Sequence, residues 1–388
     1  MKDTLFIQFY SKVENIKNRF ELGNGFSDTY DICKNKGDFI WLEHKMVNRD
    51  LENYGYSSDF IIDKGTVYVS ASYTSQLYQI YLWALENENI NFRVGGPSIS
   101  SNAFVLEEAL PKNITLINNS VEEYFGIPNF SQEWKLEVPS DIPNDKIIIF
   151  SYTLENKCYW HRCKFCTFSR YRKDMVYRRR KIINYEFKDI NYNGKKEVRI
   201  GSDAIIPSDI KEFISNAPSF NGLKEYRSFM RATKKELDAL RKTKNLTKVR
   251  FTLGLEFPSE RMWRNVDKGY NRQDVLDTIN FLSDKKSHLV LGIIIGWNNL
   301  IKEDIVELRS FMDQLSLPSD TALVLHNLFI YPNTDLYKLY EKHEEFRVGP
   351  FYTGFYPKLD SEQSKLNEEA KQIVVDWGSD RNLIIILK

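Results

Sequence analysis

Three cysteines close together in the middle of the chain are the strongest constraint on its fold. Cys158, Cys163 and Cys166 are spaced C-x4-C-x2-C and follow an apolar, β-like run, Ile147–Tyr152. Thiols crowded onto one loop are typical of metal ligands in a reducing compartment and not of a disulfide framework. The fold must therefore hold this loop at the end of a strand, and we expect a cytoplasmic protein. Cys33 stands apart and is expected to be a small buried thiol.

The three thiols are compatible with two kinds of metal site. Three thiolates can bind three irons of a [4Fe–4S] cubane and leave the fourth iron open. The alternative is a zinc site completed by His161 or another ligand, since thiolates suit zinc as well. Short zinc modules usually add a second C-x2-C or H-x3-H pair nearby, and none follows in this sequence. The spacing favours the cluster and leaves zinc as the alternative.

Strand-like and helix-like runs alternate along the chain, which predicts an α/β fold. The N-terminal alternation predicts a Rossmann-like parallel sheet, with helical periodicity at Gln76–Glu86 and Phe104–Ala109. After a linker at Gln132–Asp145, six strands predict a partial (βα)6 barrel, whose chemistry would lie at the carboxyl ends of the strands. The predicted strands are Thr4–Phe9, Asp38–Leu42, Val67–Ser72, Asn91–Val94, Ile114–Ile117, Ile147–Tyr152, Glu197–Ile200, Glu225–Met230, Lys248–Leu253, Leu289–Ile295 and Ala322–Ile330.

Three segments follow from this alternation. We expect a Rossmann-like domain at residues 1–135, a partial barrel at residues 136–345 and a short C-terminal extension at residues 346–388. The extension carries a helical stretch at Ser361–Val375 and a strand-like stretch at Leu383–Leu387, with no recognisable motif.

The composition excludes two classes of partner. With 54 Lys and Arg against 53 Asp and Glu, the net charge is +1, so the chain lacks the positive field of a general nucleic-acid binder. The longest apolar run, Leu289–Trp297, is far shorter than the roughly 20 residues that span a bilayer, so we expect no membrane insertion. The basic run Arg170–Lys181 is expected to be a solvated helix face, with attraction of an anionic substrate as the alternative.

The cysteine loop resembles that of the radical S-adenosylmethionine (SAM) superfamily. The usual signature of that family is C-x3-C-x2-C with an aromatic residue before the last cysteine, and Phe165 occupies that position. The first gap is one residue longer here. The resemblance implies that Cys158, Cys163 and Cys166 bind a [4Fe–4S] cluster, that SAM chelates the open iron, and that SAM is cleaved to a 5′-deoxyadenosyl radical.

Motifs at later strand ends extend the resemblance over the second half of the chain. Gly254-Leu255-Glu256 with Lys268-Gly269 resembles the G-L-E…K-G stretch of the family, and Gly292–Gly296 resembles its G-x-I-x-G motif beside adenine. Arg231 is expected to pair with the SAM carboxylate or with an acidic substrate. Each motif alone is also compatible with a turn or a solvated strand end. The residues expected to contact SAM are Phe165, Gly201, Ser202, Asp203, Arg231, Glu256, Ile294 and Gly296.

The N-terminal part resembles the cobalamin-binding domain that precedes the barrel in a large radical SAM subfamily. Serines at a strand end can hydrogen-bond to a corrin or its nucleotide tail, and paired glycines let the backbone approach a planar ligand. The alternative is an ordinary Rossmann-like fold whose glycines serve turns. The residues expected at cobalamin are Ser70, Ser72, Tyr73, Gly95, Gly96 and Pro97.

The resemblance implies a cobalamin-dependent radical SAM enzyme that methylates an unactivated carbon of a peptide or a small natural product. Two alternatives stay open: a cobalamin-free radical SAM enzyme that crosslinks, rearranges or epimerises its substrate, and a zinc or iron–sulfur protein without catalysis. An electron donor such as flavodoxin or ferredoxin would be the partner of either enzyme. No residue is assigned as catalytic from the sequence.

Overall fold

The structure is a computed structural model, and it describes fifteen stretches of the chain. They are residues 3–12, 19–22, 33, 36–44, 62–71, 74–100, 104–119, 124–126, 135–136, 142–152, 158–167, 189–190, 192–200, 204–215 and 222–388. None of the described helices is long and apolar enough to cross a membrane.

Eighteen strands and eight helices lie within these ranges. The strands are β1 (Thr4–Lys12), β2 (Arg19–Leu22), β3 (Asp38–His44), β4 (Thr66–Ser70), β5 (Asn91–Gly95), β6 (Val105–Leu106), β7 (Ile114–Leu116), β8 (Lys135–Leu136), β9 (Ile147–Tyr152), β10 (Asp189–Ile190), β11 (Lys195–Ile200), β12 (Leu223–Met230), β13 (Val249–Glu256), β14 (His288–Ile295), β15 (Ala322–Asn327), β16 (Lys342–Val348), β17 (Phe351–Pro357) and β18 (Ile384–Leu387). The helices are α1 (Thr74–Glu86), α2 (Pro97–Ser100), α3 (Pro207–Asp209, continued by a π-helical turn at Ile210–Ile214), α4 (Lys234–Leu240), α5 (Glu260–Asn265), α6 (Arg272–Asp284), α7 (Lys302–Asp313) and α8 (Ser361–Ser379).

Five parallel strands form the N-terminal sheet in the order β3-β1-β4-β5-β7. Numbered by their succession in the chain, this is the order 2-1-3-4-5 of flavodoxin-like, doubly wound folds. Leu5, Ile7 and Phe9 of β1 share one core with Leu77 and Ile80 of α1. The five predicted strands and the helix predicted at Gln76–Glu86 are therefore confirmed, with shifts of a few residues at their ends.

The helix predicted at Phe104–Ala109 is wrong. Val105 and Leu106 form the short strand β6, which pairs with Tyr352 and Phe351 of β17. The ring of Phe104 packs edge-to-face on Phe351, with 5.5 Å between the ring centroids. Six residues are too few to form a stable helix on their own, so a strand partner from a distant part of the chain determines the local structure.

The second sheet region is a curled half-barrel of parallel strands in the order β9-β11-β12-β13-β14-β15, as predicted. Alternate residues of its strands, such as Phe251 and Leu253 of β13, are fully buried in a core shared with Val275 and Ile279 of α6. β18 adds a seventh parallel strand beside β15. The strand-like stretch near the C-terminus thus belongs to the barrel sheet.

A short strand that the sequence did not predict joins the two sheet regions. β2 pairs with β1 in the antiparallel sense and with β9 in the parallel sense, through Arg19↔Ile147, Phe20↔Ile148 and Glu21↔Ile149. One sheet of thirteen strands therefore runs from the N-terminal part into the half-barrel.

The hairpin β16–β17 contacts the N-terminal part. β17 pairs with β6, Phe351 is buried in the N-terminal core, and Arg347 forms an ion pair with Glu107. The turn needs Gly349, because its φ is +56° and a Cβ there would lie 2.1 Å from the ring of Tyr78. The boundary expected between residues 345 and 346 falls inside β16.

Candidate functional site

The cysteine loop follows the carboxyl end of β9, as in the prediction, and all three thiols are half-buried. Within the loop, the Cys166 N–H donates to the Cys163 carbonyl at 3.2 Å. The Lys164 N–H donates to the Val266 carbonyl at 3.0 Å, and the Lys164 carbonyl accepts from the Leu336 N–H at 3.4 Å. The loop is therefore tied to the segments that follow β13 and β15.

The ligand set of the loop consists of thiols. Within the described ranges, no three His, Cys, Asp or Glu side chains are gathered closely enough to hold one metal ion. A cubane binds each of three thiolates at a different iron. His161 is exposed, and its Nδ1 lies 3.0 Å from the carbonyl oxygen of Tyr159. Three thiols on one anchored loop fit a [4Fe–4S] cluster.

Two cations and a carboxylate lie near the Cys163 thiol. Burial raises the pKa of Cys163, and the charges of Lys268 and Arg231 oppose that rise, while Glu256 and Cys158 add to it. Positive charge close to a thiol favours the thiolate, which is the form that binds iron. The structure therefore brings together Cys163 and two of the residues expected at SAM, Arg231 and Glu256.

Glu256 forms a buried ion pair at the end of β13. Lys268 Nζ lies 2.6 Å from Glu256 Oε1, and the side chains are 12% and 10% exposed. Burial alone would lower the pKa of Lys268, but the Glu256 carboxylate raises it above the ordinary range. A Cβ on Gly254 would lie 2.4 Å from Glu256 Oε1, so the glycine of the G-L-E stretch makes room for the carboxylate. The ammonium of Lys268 also lies 5.9 Å from the centroid of Phe165.

Arg231 lies against the residues of the longer first gap of the cysteine loop. Its guanidinium carbon is 3.9 Å from the ring centroid of Trp160, a cation–π contact. Its Nη2 donates to the carbonyls of Lys268 at 2.6 Å and Gly269 at 3.4 Å, and the residue is 4% exposed. The predicted contact of Arg231 with SAM or with an acidic substrate stays a prediction, and in the structure its Nη2 binds backbone carbonyls.

Trp160 is fixed from two further sides. Its Nε1 donates to the Asp267 carbonyl at 2.8 Å, and Arg162 forms an ion pair with Asp267 at 3.1 Å. Gly269, with φ +64°, lets the indole approach, because a Cβ there would lie 2.2 Å from the Trp160 ring. The longer gap thus carries an indole that fastens the loop to the K-G turn, a role that spacing alone did not indicate.

Substituting Gly269 with alanine is expected to displace Trp160 and to destabilise the protein. Gly126→Ala is the matched control, because its φ of +66° is nearly the same and a Cβ there would meet no atom of the described part of the chain within 4 Å. Left-handed backbone costs alanine about 1–2 kcal/mol at both positions, and the clash at Gly269 adds roughly 1–3 kcal/mol. Thermal unfolding with tryptophan fluorescence measures both variants, and equal losses would contradict the contact.

Tyr159 leads to a buried carboxylate that the sequence analysis missed. Its hydroxyl donates to Glu236, which also accepts from the Thr233 hydroxyl and is 1% exposed. Burial and the neighbouring Glu236 raise the pKa of Tyr159, so the phenol keeps its proton. In the sequence, Glu236 is only an acidic residue at the third position of α4. Its hydrogen-bond partner Tyr159 lies on the cysteine loop, 77 residues earlier, so the sequence did not show the contact.

The G-x-I-x-G stretch is held by the C-terminal helix. Asn367 Oδ1 of α8 accepts from the Gly296 N–H at 2.6 Å and from the Trp297 N–H at 3.1 Å, and Asn367 Nδ2 donates to the Trp297 carbonyl at 2.7 Å. Ile294 is half-buried, and its carbonyl accepts from Trp297 Nε1 at 2.7 Å. Phe165 packs edge-to-face on Trp297, with centroids 6.3 Å apart. Asn367 was missed because it carries no motif.

The residues expected at cobalamin lie at the carboxyl edge of the N-terminal sheet. Ser70 ends β4 and pairs in register with Gly95, which ends β5. Gly96 has φ +104°, and a Cβ there would lie 2.6 Å from the Ala71 carbonyl oxygen, so its glycine is explained by packing within the protein. A Cβ on Gly95 would make only ordinary contacts, 3.6 Å from the Ile117 carbonyl oxygen.

Several predicted features lie outside the described residues. These are Ser72, Tyr73, Gly201, Ser202, Asp203, the basic run Arg170–Lys181 and most of the linker Gln132–Asp145, as well as the side chain of Pro97.

Residues 156–312 match the model of the radical SAM superfamily. The chain carries a radical SAM domain. Its cysteine loop is the first βα loop of the half-barrel, and the Glu256–Lys268 pair, Arg231 and Gly296 follow later strands of the same barrel. The superfamily implies SAM and a [4Fe–4S] cluster as cofactors, and Cys158, Cys163 and Cys166 are the residues that would hold the cluster.

Solved structures share the fold of the radical SAM domain and of the N-terminal part. The apo structure of the cobalamin-dependent S-adenosylmethionine radical enzyme OxsB aligns with a TM-score of 0.58 at 12% identity, over 97% of this chain and 66% of OxsB, just under two thirds of its length. The radical S-adenosylmethionine methyltransferase TsrM from Kitasatospora setae, with cobalamin and a [4Fe–4S] cluster bound, aligns with a TM-score of 0.53 at 11% identity, over 87% of this chain and 77% of TsrM. No curated protein matches this sequence.

Proposed function

We propose that this chain is a cobalamin-dependent radical SAM enzyme that methylates an unactivated carbon of a peptide or a small natural product. The observation that carries the proposal is the meeting of the cysteine loop, the Glu256–Lys268 ion pair and Arg231 at the carboxyl end of the half-barrel. These groups lie within the segment that matches the family model.

The residues of the chain have three tasks in this chemistry. When bound, the cluster supplies the electron that cleaves SAM to methionine and a 5′-deoxyadenosyl radical. Cys158, Cys163 and Cys166 hold it, and the positive charges of Lys268 and Arg231 stabilise the thiolates. Phe165 and Trp297 give the loop an apolar wall against water. Flavodoxin or ferredoxin is the proposed electron donor.

The cobalamin part of the proposal is supported by strand order and by fold. Doubly wound sheets of the order 2-1-3-4-5 bind their ligands at the carboxyl side of the strands between which the order reverses, which are β1 and β4 in this chain. OxsB is described as cobalamin-dependent and TsrM as cobalamin-bound, and both share this fold.

Two measurements on the anaerobically reconstituted protein test the proposal. With SAM and dithionite, we expect release of 5′-deoxyadenosine, and its absence from protein with a complete cluster would contradict radical chemistry. Hydroxocobalamin titrated into the protein should bind with a shifted corrin absorption. Release of 5′-deoxyadenosine without cobalamin binding would instead favour a cobalamin-free radical SAM enzyme, and bound zinc without iron would exclude both enzymes.

A further inference from the structure

Gln8 of β1 is a fully buried amide without a hydrogen-bond partner. Its exposure is 0%, and neither Nε2 nor Oε1 has a partner among the residues that the structure describes. A buried amide that makes no hydrogen bond costs free energy, so native proteins rarely keep one without a reason. A bound ligand that supplies the missing partners is such a reason.

The position of Gln8 is that of a ligand site. Gln8↔Ser70 is the last pair in the register between β1 and β4, and Ser70 pairs in turn with Gly95 of β5. Gln8, Ser70 and Gly95 therefore form one row at the level where β4 and β5 end, while β1 continues to Lys12 and pairs there with β2. β1 and β4 are also the two strands between which the strand order reverses, where doubly wound sheets bind their ligands.

The face that carries Gln8 differs from the face covered by α1. Because side chains alternate along a strand, Gln8 shares its face with Phe6, while Leu5, Ile7 and Phe9 belong to the core around α1. On the face of Gln8, Phe6 stacks on Tyr68 with ring centroids 5.0 Å apart. The amide thus lies at the edge of an aromatic surface.

Gly95 is an independent sign of a ligand in the same row. Packing against the described residues explains Gly96 but not Gly95, since a Cβ on Gly95 would meet none of their atoms closer than 3.6 Å. The missing side chain leaves room beside Ser70. A planar ligand with polar groups on its rim would fill such a space and reach the Gln8 amide.

We infer that the Gln8 side chain binds an amide group of cobalamin, donating from Nε2 and accepting at Oε1. The inference rests on the proposed function and deepens it by naming a residue and the chemistry of its contact. A corrin carries primary amides on its rim and a further amide in the arm to its nucleotide. An amide is the natural partner of a glutamine, because each supplies one donor and one acceptor.

The test is the isosteric substitution Gln8→Met, followed by thermal unfolding and by titration with hydroxocobalamin and with cobinamide, which lacks the nucleotide. Without ligand, the variant should melt a few degrees higher than the wild type, because an unpaired buried amide is gone. Its Kd for hydroxocobalamin should rise about ten- to a hundredfold, the value of the two hydrogen bonds that are lost. Gln8→Leu gives a second variant with the same two expectations.

Thr4→Val is the matched control, since Thr4 is a buried polar residue on the same strand face at its amino end, and its Kd should stay at the wild-type value. Cobinamide keeps the amides of the rim and of the arm, so a parallel loss of cobinamide and hydroxocobalamin binding in Gln8→Met supports the amide contact. A loss confined to hydroxocobalamin assigns the contact to the nucleotide and overturns the amide contact. Unchanged binding of both compounds by folded Gln8→Met overturns the inference alone. A wild-type chain that binds neither compound overturns the cobalamin proposal and this inference together.

Discussion

Alanine at Cys158, Cys163 or Cys166 is expected to abolish release of 5′-deoxyadenosine. Each thiol is expected to be the ligand of a different iron in a cubane, so the loss of one thiol leaves one iron without its ligand. Reconstituted wild type should contain about four irons per chain, as one cubane requires, and each variant far fewer. Iron analysis and the broad visible absorption of the cluster measure the cluster content, and chromatography of the nucleoside measures its release.

Cys33→Ala is the control for this series. Cys33 is 1% exposed, in a cluster with Phe6, and burial raises the pKa of its thiol to about 12, so it is an unreactive thiol. The variant should retain the wild-type iron content and 5′-deoxyadenosine release. An alanine variant of the loop that kept its iron and its activity would remove that cysteine from the ligand set.

Glu256→Gln is expected to lower the free energy of unfolding by about 3–5 kcal/mol, the usual cost of leaving a buried charge without its partner. The ammonium of Lys268 would remain in a site with 12% exposure and without its carboxylate. Because its folded-state pKa is raised, the pair contributes fully below the ordinary pKa of lysine, and the contribution is lost only as the pH rises through the folded-state value. Denaturant unfolding at neutral pH therefore measures the whole effect.

The double variant Glu256→Gln/Lys268→Met should recover most of that loss, since it removes the unpaired charge as well. Glu260→Gln is the surface control. Glu260 is 41% exposed and lies 3.6 Å from Arg264, and exposed pairs of this kind contribute less than about 1 kcal/mol. If the double variant were as unstable as Glu256→Gln, the loss of stability would come from the missing Glu256 carboxylate and not from the unpaired Lys268 ammonium.

The features that the sequence predicted are those that leave a local pattern. The apolar runs of the barrel strands and the spacing of Cys158, Cys163 and Cys166 are each contained in a short stretch, so they predicted the half-barrel and its first βα loop. The row of Phe251 and Leu253 against α6 follows from the same alternation.

The features that it missed depend on partners far away along the chain. Asn367 binds the backbone of Gly296, 71 residues earlier. The short strand β2 forms part of the sheet through its pairing with β9, which lies far along the chain. The contacts of Arg231 with Trp160 and Gly269 also join distant parts of the chain, and its expected contact with SAM or an acidic substrate stays a prediction. Gln8 carries no motif, and its lack of a partner is visible only when the whole sheet is assembled.

The strand β2 has a mechanical consequence. Its backbone hydrogen bonds continue the ladder from β1 to β9, and the hairpin β16–β17 makes a second connection on β6. Rotation of the N-terminal sheet away from the barrel would have to break both ladders, so we expect the two halves to move as a single rigid body. The distance between the cysteine loop and the row of Gln8 is then a fixed dimension of the molecule, and substrates that differ in size must be accommodated by loops and not by a hinge.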